Sequence, residues 1–149
     1  MKKILFVSFL IVFHLNVFAQ KKQITYIEIY GVRFEANYNV GLDWREIKKS
    51  GLYVRVQDSE EIHDIGLISK LSMLEINKKE HMPFDFRAVL IVHYNNKKKE
   101  TYYFASGTGG IIKNNILYKA NYPLIAAIYS FFPDDYFIAG YKDSPELYK

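Results

Sequence analysis

The stretch Phe86–Tyr94, FRAVLIVHY, is the most informative part of the sequence because it is apolar on both of the faces that alternate along a strand. The two sets of side chains that this alternation separates are Phe86, Ala88, Leu90, Val92 and Tyr94 on one face and Val89 and Ile91 on the other. A strand whose two faces are both apolar is covered on both sides. The pattern therefore predicts a central strand of a sheet.

Two hairpins are predicted directly after this strand. Glu100–Ala105 (ETYYFA) is rich in residues that favour a pleated surface, and it is expected to return beside the central strand. A glycine-rich turn over residues 106–110 follows. Ile111–Lys119 then carries Asn114-Asn115 between two short apolar runs, and Asn tolerates the left-handed backbone of a tight turn. Consecutive short strands of this kind favour an antiparallel meander.

Two further strands and a short helix are predicted before the central strand. In Ile24–Phe34 the residues Ile27 and Ile29 share one face, which is opposite the face of Tyr26, Glu28 and Tyr30. Asp43 and Glu46 have the spacing of a capping box, and Gly51 ends the resulting helix. Alternation in Leu52–Gln57 predicts a strand with these residues pointing inward: Leu52, Val54 and Val56.

Two longer helical segments complete the pattern. One begins at Asp58-Ser59, and its apolar residues recur every three positions from Ile62 to Leu74. A spacing of three wraps around a helix that has 3.6 residues per turn, so this helix is either covered on several sides or broken, most easily at Gly66. The other opens at Asn121-Tyr122-Pro123 and ends at Pro133.

These elements predict an α+β fold in which an antiparallel β-meander of four to six strands packs against one main helix, with a C-terminal helix added. Residues 20–149 form a single domain in this interpretation, and residues 134–149 form an extended tail. The element order resembles that of cystatin-like and other inhibitor-like α+β sandwiches. The similarity is one of element order alone, because no motif accompanies it.

The first nineteen residues have the three parts of a secretory signal peptide. Lys2-Lys3 is followed by a mostly apolar run over Ile4–Phe18, and cleavage is expected between Ala19 and Gln20. An uncleaved membrane anchor is the alternative. The length favours cleavage, because about 15 helical residues span about 22 Å whereas the hydrocarbon core is about 30 Å thick. We therefore expect a soluble exported protein, periplasmic or secreted, without a stable membrane insertion.

Composition excludes several classes of protein and site. The chain is 50% hydrophobic and 24% charged, which is globular and not disordered. It contains no cysteine, so disulfides, thiolate zinc sites, thiol catalysis and lipid attachment through cysteine are all excluded. The net charge is +4, but the lysine runs fall at element ends and turns beside glutamates. Nucleic acid is therefore not an expected partner.

No cofactor or metal site is predicted. The glycines of residues 106–110 lead into an apolar strand, whereas a phosphate loop leads into a helix. Ser106 lacks the flanking glycines of a nucleophile elbow. His63, His81 and His93 are not spaced to place two imidazoles on one helix face.

The best catalytic grouping in the sequence is Asp85, Arg87 and His93, which share strand parity. His93 is about 20 Å from Arg87 along an extended strand, so the three do not form a compact site. We interpret Asp85 and Arg87 as a surface ion pair and His93 as unrelated to them. The catalytic residues are therefore unknown.

Tyrosine is unusually common, with 13 residues in the chain. Tyr94, Tyr102, Tyr103 and Tyr118 lie on or beside the hairpins and are the predicted binding face, because tyrosine is enriched at interfaces. The alternative is that they are ordinary strand residues with hydroxyls at the sheet margin. The leading hypothesis is an exported binding protein of inhibitor or immunity type, with a protein or polysaccharide partner. A small envelope hydrolase and an inactive accessory subunit are the alternatives.

Overall fold

The computed structural model describes residues 23–34, 41–57, 59–64, 66–78, 81–83, 85–106 and 110–136. Its six strands are β1 Ile24–Gly31, β2 Leu52–Val56, β3 Phe86–Tyr94, β4 Lys99–Ala105, β5 Ile111–Lys113 and β6 Ile116–Tyr118. They form one sheet in the order β2-β1-β3-β4-β5-β6, and every neighbouring pair is antiparallel. The helices are α1 Trp44–Ser50, α2 Ser59–Asp64, α3 Leu67–Ser72 and α4 Tyr122–Tyr129, followed by a 3-10 turn at Asp134–Tyr136. The predicted α+β class is confirmed.

One face of the sheet carries the larger core. Ile27, Ile29 and Leu90 on this face are fully buried. They share a cluster with Leu124 and Ile128 of α4 and with residues of α2 and α3. The sequence assigned this face mainly to the helix that begins near Ser59. In the structure the C-terminal helix α4 contributes more buried residues, because five of its eight residues are buried, whereas the described side chains of α2 and α3 contribute Ile62 and Leu67.

Among the described residues, α1 covers the opposite face of the sheet, at one end. Ile47 of α1 is fully buried there against Val89 and Ile91, which confirms that β3 has two apolar faces. Phe86 also packs into this second cluster, although the alternation placed it with Ala88 on the other face. The pairing of β3 with β4 shifts register between these two residues, and this irregularity turns the Phe86 side chain over.

Local signals in the sequence set several element ends. Asp43 and Glu46 form the predicted capping box of α1. Gly66 separates α2 from α3 and has a φ of +62°. This left-handed conformation favours glycine, so the helix breaks at the residue that the sequence indicated. Asn114 and Asn115 have φ values of 50° and 61°, as the tight turn requires.

The structure differs from the sequence prediction in three details: the end of β1, the exposure of Leu52 and the start of the C-terminal tail. β1 ends at Gly31 and not at Phe34, and a side chain at Gly31 would meet the Phe132 ring at 2.8 Å. Leu52 lies on the core face, as predicted, but it is 39% exposed and not buried, because β2 is an edge strand. The predicted tail begins with the 3-10 turn, whose Tyr136 carbonyl accepts from the Phe34 N–H at 3.0 Å.

The predictions for the two ends of the chain lie outside the described residues. These are the signal peptide, its cleavage site at Ala19 and Gln20, and the tail from residue 137 onward. Within the described ranges, no helix is both long enough and apolar enough to cross a membrane.

Candidate binding surface

The four tyrosines predicted as a binding face do not share one exposed face. Tyr102 is 3% exposed and belongs to the larger core, against which Tyr94 and Tyr118 also pack. Tyr103 packs on the opposite side of the sheet, with its ring 5.7 Å from that of Trp44. Adjacent strand residues point to opposite faces, so Tyr102 and Tyr103 could not both lie on one face.

The predicted pair of Asp85 and Arg87 exists, but it is not a surface ion pair. Arg87 is only 4% exposed, and its guanidinium donates to both carboxylate oxygens of Asp85. It also donates to the backbone carbonyls of Phe34 and Phe86. Asp85 accepts in addition from the Ser106 hydroxyl at 2.8 Å. We call Asp85, Arg87 and Ser106 the Arg87 cluster; it ties β3 to the end of β4 and to the segment after β1.

The Arg87 cluster keeps Asp85 ionised. Burial alone would raise the pKa of Asp85, but hydrogen bonds from Arg87, the Leu42 N–H and Ser106, together with the Arg87 charge, outweigh that effect. The net result is a pKa below the ordinary value of 3.8. A carboxyl group with a lowered pKa is poorly suited to donate a proton near neutral pH.

The lowered pKa predicts how stability depends on pH. The stabilisation from ionised Asp85 is fully present above its unfolded-state pKa and is lost as the pH falls through the lower folded-state value. We expect Asp85→Asn to cost about 2 kcal/mol of unfolding free energy at pH 7. The difference from the wild type should shrink at pH 3. Urea denaturation at both pH values measures this, with Asp135→Asn as an exposed control; an Asp85→Asn difference that is equally large at pH 3 would contradict the assignment.

His93 lies apart from the Arg87 cluster and belongs to a different group of residues. Its Nε2 lies 2.8 Å from a carboxylate oxygen of Glu28, and its ring stacks on Tyr26 with 4.0 Å between centroids and 16° between planes. The Arg55 guanidinium carbon lies 4.0 Å from the centroid of the same Tyr26 ring. The Tyr26 ring is therefore in contact with both a guanidinium and an imidazole.

The neighbouring strand adds Tyr53 to this group. Tyr53 is 49% exposed, and its hydroxyl donates to Glu28 at 3.4 Å. Desolvation and the Glu28 carboxylate raise the pKa of Tyr53 above 10.0, so its hydroxyl remains a donor at neutral pH. We call Tyr26, Glu28, Tyr53, Arg55 and His93 the open face; it lies on the side of the sheet that α1 covers at the other end of β3.

The sheet register brings the open face together. Glu28 pairs with Arg55 of β2, and Tyr26 pairs with His93 of β3. Sequence reasoning did separate Tyr26 and Glu28 from the buried side of β1. It missed their neighbours, because the position of β1 between β2 and β3 cannot be derived from alternation within one strand.

A groove lies beside α1 on the same side of the sheet. Its volume is about 380 Å³, and the residues that line it are Asp43, Trp44, Pro83, Phe86, Tyr103, Ile112 and Asn115. The aromatic and aliphatic side chains give it an apolar wall, and Asp43 and Asn115 supply polar groups. Such a mixture is typical of small-ligand sites.

The other candidate chemistry finds no support in the geometry. Gly110 leads directly into β5, a strand, and the Ser106 hydroxyl is bonded to Asp85 and not to a histidine. His63 and His81 are exposed. Where the chain is described, no three His, Asp or Glu side chains are grouped so that they could hold a metal ion.

Comparison of the chain with protein-family models, with curated proteins and with solved structures finds no match.

Proposed function

We propose that this chain is a small exported binding protein whose contact surface for another envelope or secreted protein is the open face. The observation that carries the proposal is the contact of one Tyr26 ring with both Arg55 and His93. Tyrosine and arginine are, with tryptophan, enriched among the residues that dominate binding energy at protein interfaces.

The open face is also held in place before any partner arrives. Glu28 bonds to both His93 and Tyr53, and Arg55 rests on Tyr26. Side chains that are already fixed lose little conformational entropy on binding. The arrangement therefore suits a protein that acts by docking, such as an inhibitor or an immunity protein.

The charges of the open face favour a partner with acidic groups. Its carboxylate, Glu28, is half-buried and hydrogen-bonded to His93 and Tyr53, whereas Arg55 is exposed. Lys48 adds a second cation 5.3 Å from the neighbouring Tyr30 ring. Complementary charge raises the association rate and selects the partner.

A polysaccharide is the second candidate partner, and the groove beside α1 favours it. Trp44 and Tyr103 provide aromatic surface there, next to the carboxylate of Asp43 and the amide of Asn115. The envelope hydrolase is the weaker alternative, since the lowered pKa of Asp85 favours a structural role for its carboxylate. Nucleic acid is not proposed as a partner. The lysine run Lys97–Lys99 lies in a turn and at the start of β4, and not on a face with stacking aromatic residues.

Differential capture from the cell envelope tests the proposal. The tagged protein, purified from the envelope and expected to begin at Gln20, is compared with the double variant Tyr53→Ala/Arg55→Ala. Ile116→Ala/Lys119→Ala is the matched control, because both of its residues are exposed outside the open face. We expect one protein to be captured by the wild type and the control, and at least tenfold less of it by the open-face variant. Equal capture by all three would contradict the proposal.

A further inference from the structure

The two edges of the sheet differ in how they are covered. At the β6 edge, residues 75–77 run alongside the strand: Ile76 bridges to Tyr118, and the Asn77 N–H donates to the Leu117 carbonyl at 2.8 Å. At the β2 edge, no segment of the described chain pairs with the outer side of Leu52–Val56. An unpaired strand edge is a template for another strand.

Strand β2 also lacks the features that usually protect an edge. Its sequence, LYVRV, contains no proline or lysine. Its one charged side chain, Arg55, lies over Tyr26 of β1 and thus leans toward the sheet interior. Leu52 and Tyr53 are 39% and 49% exposed, so apolar surface remains at the edge.

The sequence of β2 is complementary to itself in antiparallel register. Its five residues have Val54 at the centre, so a twofold axis there places Leu52 opposite Val56 and Tyr53 opposite Arg55. The first pairing is apolar on the face that carries the larger core. The second places the 49% exposed Tyr53 ring opposite the aliphatic part of Arg55 on the open-face side, and cross-strand contact of this kind stabilises a sheet.

From these observations we infer that two copies of this chain associate through β2, antiparallel about a twofold axis at Val54, into one continuous sheet. A twofold axis perpendicular to the sheet keeps each face on its own side. The two open faces therefore lie next to each other on one side of the dimer. Such a dimer presents a partner with two copies of the surface, which raises avidity.

Cysteine trapping tests this register directly, because the natural chain has no cysteine. Directly opposite residues of an antiparallel pair have Cα atoms about 4.5–5.5 Å apart, which a disulfide can bridge. Under mild oxidation Val54→Cys should form a disulfide-linked dimer at least tenfold faster than Ile116→Cys, whose residue is 41% exposed on β6. Equal rates for the two variants would overturn the inference.

Sedimentation of the unlinked protein provides the second readout. The wild type should show a concentration-dependent dimer, Leu52→Lys should shift it to monomer, and Ile116→Lys should leave it unchanged. A wild type that stays monomeric, or a dimer that Leu52→Lys does not weaken while its circular dichroism is native, would overturn the inference. Neither Leu52 nor Val54 belongs to the open face, so a monomeric result here leaves the open face as a candidate contact surface. Tyr53 and Arg55 belong to both surfaces, whereas Tyr26 lies on β1 and belongs to the open face alone.

Discussion

Replacing Arg87 by alanine is expected to lower the free energy of unfolding by about 3 to 5 kcal/mol. The substitution leaves the partly buried carboxylate of Asp85 without its cation and removes the guanidinium donors from the carbonyls of Phe34 and Phe86. The size of the effect comes from three losses together: the charge partner of Asp85, the two hydrogen bonds to backbone carbonyls, and the packing of the Arg87 side chain, which is 5% exposed.

Urea denaturation followed by circular dichroism measures this effect. Arg33→Ala is the matched control, because Arg33 also pairs with an aspartate, Asp135, but both side chains are more than half exposed. Exposed pairs of this kind contribute about 0 to 1 kcal/mol. If Arg87→Ala lowered the free energy of unfolding no more than Arg33→Ala does, the Arg87 cluster would not stabilise the contact of β3 with β4 and with the segment after β1.

Replacing Tyr26 by alanine is expected to weaken partner binding by about 30-fold, equivalent to about 2 kcal/mol, which is the scale of an interface hot spot. Without the ring, Arg55 loses the surface on which it lies and His93 loses its stacking partner. The binding side chains would then have to be ordered at the moment of association, at a cost in entropy.

Titration of the captured partner against the purified variants measures this loss. Tyr26→Phe is the control, because it keeps the ring face and removes only the hydroxyl, and it should bind within about threefold of the wild type. A Tyr26→Ala variant that is natively folded and binds as tightly as the wild type would contradict the role of the stack.

Local chemistry made much of the fold predictable. The two apolar faces of β3, the capping box of Asp43 and Glu46, the break at Gly66 and the turn at Asn114-Asn115 each depend on a few neighbouring residues. Interactions of short range of this kind leave a pattern in the sequence.

Features that depend on partners distant in the chain could not be predicted in the same way. Arg87 appeared to be a surface residue because it is charged, yet its burial is made favourable by Asp85 and by the Phe34 carbonyl, 53 residues away. The open face requires Tyr26, Arg55 and His93 from three strands. The high tyrosine content suggested a binding function, but composition does not show which tyrosines are exposed. Tyr102, for example, is on the inward face of β4 and is buried in the core.

Site-specific photocrosslinking in cells shows whether the open face contacts a partner protein. A benzoylphenylalanine is placed at position 53 on the open face, or at position 116 on β6, and the cells are irradiated. From position 53 we predict a crosslink to the second copy of this chain and, separate from it, a discrete product with one other protein; position 116 should give neither. The same partner crosslinked from position 116 and not from position 53 would contradict the account.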